Sequence, residues 1–198
     1  MAGSFDSTKD TVRRLRAGGV LLLATDTLPG LHCRADDPAA VSRLNRLKGR
    51  PADKPLLVLA GSLAQVRALT GELNSAQLAV CGQCWPGPFS LILPAATEIC
   101  GLVTCGGMTV AVRVPAVAAL RELILSVGAP LVSSSANLVG VEPALDLEVA
   151  ARIFGSKVDG RWDWGPDENL AGAPSALVDL TVTPFVVLRP GPVAFPSA

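Results

Sequence analysis

The chain has 198 residues, of which 49% are apolar and 17% charged, with 17 basic side chains against 17 acidic ones. Such a composition excludes a disordered chain and fits one well-buried globular core, or at most two small ones. Zero net charge supplies no overall field for nucleic acid or an anionic membrane, and 4% aromatic content without tyrosine leaves little to stack on bases.

The first predicted strand lies in GGVLLLATDT, where glycines precede the apolar run Val20 to Ala24 and Thr25, Asp26 and Thr27 close it. That run is too short to span a bilayer and follows a segment in which Asp6 and Asp10 interrupt the basic residues rather than a clean basic one, so no membrane association is expected and the expected location is cytoplasmic. A helix is predicted in DDPAAVSRLNRLKGRP, with Asp37 as N-cap, Pro38 at the first helical position and Pro51 as the stop. Val41, Leu44 and Leu47 share its apolar face. Its exit, KGRPADKP, crowds Lys48, Arg50 and Lys54 beside a single acid, Asp53. Most short basic clusters are solvated surface; the alternative is a pocket for a polyanion such as the phosphates of a nucleotide.

A strand follows in PLLVLA, then short helices in SLAQVRALT, capped by Ser62, and NSAQLAVCGQC, capped by Asn74 or Ser75. FSLILPA is a strand. TVAVRVP alternates, with Val110, Val112 and Val114 on one face and Ala111 and Arg113 on the other. VAALRELILSVG is a helix ended by Gly128, PLVSSSAN a strand entering a polar turn, and LDLEVAARIFG a helix. SALVDLT and PFVVLRPG are the last two strands. Interleaved strands and helices without an internal repeat predict one α/β domain on a twisted sheet. The stretch 155–174 reads as loop.

Five cysteines, an odd number, argue against a disulfide scaffold. Cys81 with Cys84 and Cys100 with Cys105 have spacings that a four-thiolate zinc site uses, whereas a helical SAQLAVCGQC makes the first pair ordinary buried residues. The expectation is no stoichiometric zinc.

There is no P-loop, no G-x-G-x-x-G turn and no G-x-S-x-G elbow, and the lone histidine, His32, reads as structural. Polar residues gather instead at strand ends: Thr25 to Thr27, the three cations, Ser133 to Ser135 with Asn137, and Arg189. Arg113 interrupts an apolar strand, where a cation is costly unless paired or facing a cleft. Ligands of open α/β sheets sit beyond strand ends, so these groups are candidates to converge. Singly, each has a structural reading: Thr27 as a turn cap, the serines as turn formers, Arg113 as an ion-pair partner.

The runs ATDTLPGL, LKGRPADKPLLVL, CWPGPFSLIL, TVAVRVP, PLVSSSANLVG and PSALVDL followed by VVLRPG resemble, in this order, the YrdC/TsaC family of threonylcarbamoyl-AMP synthases. The resemblance implies a single YrdC-like domain over residues 1–198, with its core at about 15–193 and a twisted, mainly mixed and antiparallel sheet around a deep basic cavity. It implies that L-threonine, bicarbonate and ATP give threonylcarbamoyl-AMP and pyrophosphate, the first step of a tRNA modification. Lys48, Arg50 and Lys54 match the family's phosphate ligands, the first two as its charge-stabilising catalytic pair. Thr109, Ser135, Asn137, Pro143 and Arg189 match further ATP contacts, and Thr27, Arg113, Ser133 and Ser175 the threonine site. Mg²⁺ is expected on the polyphosphate, with no protein metal site. Hand-over to tRNA threonylcarbamoyl-transfer proteins and weak RNA binding are expected partners. The chain departs from the family pattern at Pro29, Leu59, Val139 and Ala176. A double-stranded RNA-binding module, a carbamoyl-adenylate enzyme and a non-catalytic paralogue are the alternatives.

Overall fold

Runs of leucine and valine, punctuated by glycine and by capping side chains, fix the order of elements. The structure, a computed structural model, describes residues 5–51, 54–99, 101–165 and 171–196. Its strands are β1 (Leu21–Leu23), β2 (Gly30–Arg34), β3 (Leu57–Leu59), β4 (Phe89–Pro94), β5 (Thr109–Arg113), β6 (Leu131–Ser135), β7 (Arg161–Trp162), β8 (Ala176–Asp179) and β9 (Val186–Arg189). They form one sheet in the order β7-β1-β2-β6-β3-β5-β4-β8-β9. Three neighbouring pairs are parallel, β1 with β7, β3 with β5 and β4 with β8, and the rest are antiparallel. The expected α/β class and mixed, largely antiparallel sheet are what the chain adopts.

The helices are α1 (Thr8–Arg16), α2 (Pro38–Lys48), α3 (Leu63–Leu69), α4 (Ser75–Cys84), α5 (Gly101–Thr104), α6 (Ala118–Val127) and α7 (Leu147–Phe154). Side-chain caps start several of them. Asp37 accepts from the Ala39 and Ala40 amides with Pro38 in the first turn, and Asn74 and Gln77 form a reciprocal capping box. Helix α2 stops differently from expectation. Gly49 takes the left-handed conformation at φ 61° and closes the helix, two residues before Pro51 can act.

Side-chain alternation sends the sheet's two faces to different tasks. One face carries Leu22, Leu31, Val58, Leu91, Val112 and Val132, which pack with Val41 and Leu44 of α2, Val80 of α4 and Phe154 of α7. The other face carries Leu21, Leu23, Leu59 and Leu131 beneath Leu15 of α1 and Leu120, Leu123 and Ile124 of α6. Each of these buried leucines contributes about 1.5–3 kcal/mol through removal of its surface from water. Cross-strand register continues that second face into a polar row. His32 lies opposite Ser133, Ser133 opposite Leu57, and Leu57 opposite Ala111, with Arg113 two residues further along β5. This row is the floor of the cavity described below.

Elements α1, β2, α5 and β7 go beyond the sequence-based expectations. Only Thr11 and Leu15 of α1 are buried, too narrow a stripe to read against its charges. The expected helix around Cys81 and Cys84 is α4, where both thiols are buried and burial pushes each up to about 11. Cys100 and Asp53 lie outside the described residues. Among the described residues, no three His, Cys, Asp or Glu side chains are placed to hold a metal ion, and no helix is long and apolar enough to cross a membrane. At pH 8 such thiols should alkylate roughly 100-fold more slowly than a free cysteine, since only the thiolate reacts. Mass mapping after iodoacetamide should find Cys81 and Cys84 unmodified until the protein is denatured. Prompt native-state modification, or one zinc per chain lost in Cys81→Ser, would contradict the buried helical placement.

Candidate active site

Lys48 is the last residue of α2, so its side chain leaves the helix towards the end of β6. It is 5% exposed. Its ammonium donates to Ser134 Oγ at 2.9 Å, to the Ser135 carbonyl at 2.6 Å and to Asn137 Oδ1 at 3.2 Å. Ser135 Oγ donates to the same Asn137 oxygen at 2.6 Å, while Asn137 Nδ2 donates to the Leu138 and Val141 carbonyls at 3.1 and 2.7 Å. The serine-rich turn is thus a cage built around one cation. Burial pushes the Lys48 amine down to about 8, and the Arg50 charge adds to the effect. The sequence places Lys48, Arg50 and Lys54 together as a loop cluster; the structure separates them. Lys48 is buried in the turn after β6. Arg50 lines the cavity, its Nη2 donating to the Lys54 and Pro55 carbonyls at 3.1 and 2.6 Å. The Lys54 side chain is exposed and outside the cavity lining.

The second group of residues surrounds Arg113, at the end of β5 and 2% exposed. Arg113 Nη1 donates to Thr27 Oγ1 at 2.7 Å, and Nη2 lies 3.4 Å from Asp26 Oδ1. Asp26 Oδ2 accepts the Ala116 amide at 3.0 Å. Thr25 Oγ1 donates to the Leu28 carbonyl at 2.8 Å, so the Thr27 hydroxyl, 3.0 Å away, donates to Thr25 and accepts from Arg113. Arg113 Nε and Asp26 Oδ1 are buried without a hydrogen-bond partner. Burial lowers the Arg113 pKa and Asp26 opposes that shift, but a guanidinium keeps its charge in proteins. A fixed, buried cation with a spare donor beside a cavity is suited to a carboxylate.

Ser90 and Ser175 share a hydrogen bond of 2.7 Å, and Arg189 on β9 donates twice to the Ser175 carbonyl, at 3.1 and 3.0 Å. Burial lowers the Arg189 pKa. A cavity of about 400 Å³ joins these parts, within the size range of small-molecule sites. Of the expected residues, Thr27, Arg50, Arg113, Ser133, Ser135, Pro143, Ser175 and Arg189 line it. Lys48 and Asn137 stand behind Ser135, and Thr109 starts β5 opposite Pro94. Ser90 and His32 are partners outside the strand-end set, while Asp26 and Ser134 belong to that set without a role assigned to them. The signal for Ser90 is its place as a lone hydroxyl in the apolar strand FSLIL; Asp26 is legible as an acid at a strand end, but its partner is not.

His32 is fully buried, with Nδ1 2.9 Å from the Gly30 carbonyl and Nε2 3.0 Å from Ser133 Oγ. A carbonyl only accepts, so Nδ1 carries the proton and Nε2 accepts from the Ser133 hydroxyl. Burial pushes the imidazole down to about 3, helped by the Arg113 charge and opposed by the Gly30 bond. The sign for stability follows from that direction. Below about 6.5 the unfolded chain's histidine takes up a proton that the folded one refuses, so stability is lost as pH falls from about 6.5 towards 3. The slope approaches about 1.4 kcal/mol per pH unit. Denaturant melts of the parent and His32→Gln should diverge in slope over this range; parallel curves would show that the histidine is not held neutral.

The domain is a mixed α/β sheet that gathers Arg50, Arg113 and Arg189 around one cavity, without a P-loop. The family model described as "Telomere recombination" (Sua5, YciO and YrdC) matches residues 13–191, and the chain belongs to this family. A threonylcarbamoyl-AMP synthase of Thiobacillus denitrificans is 38% identical over 169 residues, covering 84% of this chain and 87% of that protein. One from Pyrococcus abyssi is 36% identical over 177 residues, covering 89% of this chain and 52% of that protein. The chain therefore spans about half the length of that relative. The crystal structure of P. abyssi Sua5 complexed with L-threonine superposes with a TM-score of 0.87 at 34% identity, over 93% of this chain and 54% of that one. E. coli YciO, at 24% identity and a TM-score of 0.81, shares the fold.

Proposed function

We propose that the protein is a threonylcarbamoyl-AMP synthase, as its relatives are named, making threonylcarbamoyl-adenylate and pyrophosphate from L-threonine, bicarbonate and ATP. The observation that carries this reading is the cavity itself. It joins a buried arginine suited to a carboxylate, Arg113, to cations suited to phosphates, Arg50 and Arg189, within about 400 Å³. Threonine's amine and bicarbonate form a carbamate with loss of water. A carbamate oxygen then attacks the α-phosphorus, and the bond to the β-phosphate oxygen breaks to release pyrophosphate. This chemistry rests on positioning and charge stabilisation more than on a strong base. Lys48, Arg50 and Arg189 are the proposed charge partners, with Lys54, Thr109, Ser135, Asn137 and Pro143 around the nucleotide. Thr27, Arg113, Ser133 and Ser175 hold the amino acid. Among the described residues the cavity lining contains no carboxylate, so Mg²⁺ would arrive on the ATP phosphates rather than at a protein site. The whole reaction belongs to one domain, with its core near residues 15–193. Hand-over of the adenylate's threonylcarbamoyl group to tRNA threonylcarbamoyl-transfer proteins would follow.

Pyrophosphate release, measured with and without threonine and bicarbonate, tests the reading. A site that bonds a hydroxyl rejects analogues lacking it, because its own buried polar groups go unpaired. Threonine should stimulate most and serine less, since one methyl is worth on the order of 1 kcal/mol. Valine should be much the poorest. Equal stimulation by threonine and valine would count against the assignment, and release indifferent to both substrates would end it.

A further inference from the structure

The single histidine of this chain is buried directly beneath the cavity floor, at a point where the reaction itself needs no imidazole. Its register partner across β2 and β6 is Ser133, which lines the cavity. The Gly30 carbonyl takes the proton on Nδ1, so the only atom His32 can offer Ser133 is the lone pair of Nε2. The Ser133 hydroxyl has one proton, and His32 takes it. What Ser133 turns towards the cavity is therefore lone pairs alone. Nearby space tightens the arrangement: a Cβ at Gly30 would lie 2.9 Å from His32 Cε1 and 2.9 Å from the Ser134 carbonyl, so only glycine leaves the ring in place.

We propose that His32 is a positioning residue that makes Ser133 an obligate hydrogen-bond acceptor, so the substrate group seated against Ser133 must be an N–H or O–H donor. This rests on the threonine-activating reading above. It sorts the ends of the amino acid: the carboxylate belongs at Arg113, and the α-amino group or the β-hydroxyl belongs at Ser133. A carboxylate facing Ser133 would meet oxygen lone pairs with no proton between them. The arrangement is a filter on orientation, set from behind by a residue that touches no substrate.

Wild-type protein labelled with ¹⁵N-histidine gives one imidazole and so one pair of ring resonances. The expected spectrum is a neutral ring with Nδ1 protonated and Nε2 bare. Saturating L-threonine should shift Nε2 while leaving Nδ1 nearly fixed, and ATP alone should not. An equal shift from L-valine would identify the donor as the amine, and its absence would identify the β-hydroxyl. In kinetics, His32→Leu should raise KM for threonine about tenfold with KM for ATP unchanged, the loss of one well-aligned hydrogen bond. His32→Gln places an amide oxygen near the position of Nε2 and should recover most of that loss. An active enzyme with the proton on Nε2, or no Nε2 response to threonine, or a His32→Leu variant with unchanged threonine KM, would overturn the proposal and leave the reaction standing. Protein with the expected tautomer but no threonine-dependent pyrophosphate release would overturn the reaction first. The spectrum needs no variant, so it decides the tautomer even if His32→Leu fails to fold.

Discussion

Arg113→Ala is expected to abolish the dependence of pyrophosphate release on threonine. The guanidinium is the cation proposed to neutralise the amino-acid carboxylate, and its removal also strands Asp26, whose buried Oδ1 accepts no hydrogen bond and is ion-paired with Arg113. Breaking a buried pair by removing one member costs about 3–5 kcal/mol. Expressed in kcat/KM for threonine, a loss of that size is between about 10² and 5 × 10³-fold. Some of the cost falls on folding, so thermal melts must accompany the kinetics. Arg113→Lys separates the two contributions: it keeps a charge beside Asp26 and loses the planar fork, so it should fold better than the alanine variant and still bind threonine poorly. Retention of full threonine dependence in both variants would remove Arg113 from the site.

Lys48→Ala should act on the nucleotide side, lowering kcat/KM for ATP by roughly 10 to 150-fold, the span of a lost charge-assisted bond of about 1.5–3 kcal/mol. A residue in an exposed loop would be removed at almost no structural cost, but Lys48 is buried and its loss takes a donor from three oxygens. Of these, the Ser135 carbonyl keeps the Asn137 amide and Asn137 Oδ1 keeps the Ser135 hydroxyl. Arg50→Ala should therefore be the milder variant in a thermal melt. Lys48 also predicts a pH profile. The free amine is charged below pH about 8 and neutral above it, so phosphate attraction declines as pH rises through 8. A bound polyanion favours the charged form. The decline should then appear in kcat/KM, which reports the free enzyme, before it appears in kcat. A profile flat from pH 7 to 9 would mean that the ammonium does not meet the phosphates.

The alternation of TVAVRVP was enough to set Arg113 on the opposite face from Val110 and Val112, and β5 has that pattern because one face meets the larger core while the other meets the cavity. Asp37 with Pro38, and Asn74 with Gln77, announced their helices through local capping chemistry. Strand β2 was not legible. GLHCR mixes glycine, histidine and arginine because Gly30 and His32 face the polar row rather than a leucine layer. Proline is the louder signal for the end of α2, yet Gly49 closes the helix before Pro51 can. Partnerships across the sheet were hidden for a different reason. That Lys48 is held by the turn after β6, or that Asp26 waits beside Arg113, depends on strand order, which no local pattern encodes.

That strand order has a consequence for how the chain is made. Hairpin β1–β2 can pair as soon as it leaves the ribosome, but β1 also needs β7, and β2 needs β6. Ser175 precedes β8 and Arg189 ends β9, and these two strands join the sheet beyond β4. At a translation speed of about 5–20 residues per second, the nascent chain spends seconds with the Arg113 end present and the Arg189 end not yet synthesised. Pairings this distant in sequence also close slowly, on the order of milliseconds to seconds. A polypeptide halted anywhere before β8 therefore lacks one wall of its cavity and is catalytically silent, so the appearance of activity on the ribosome would time the closing of the sheet.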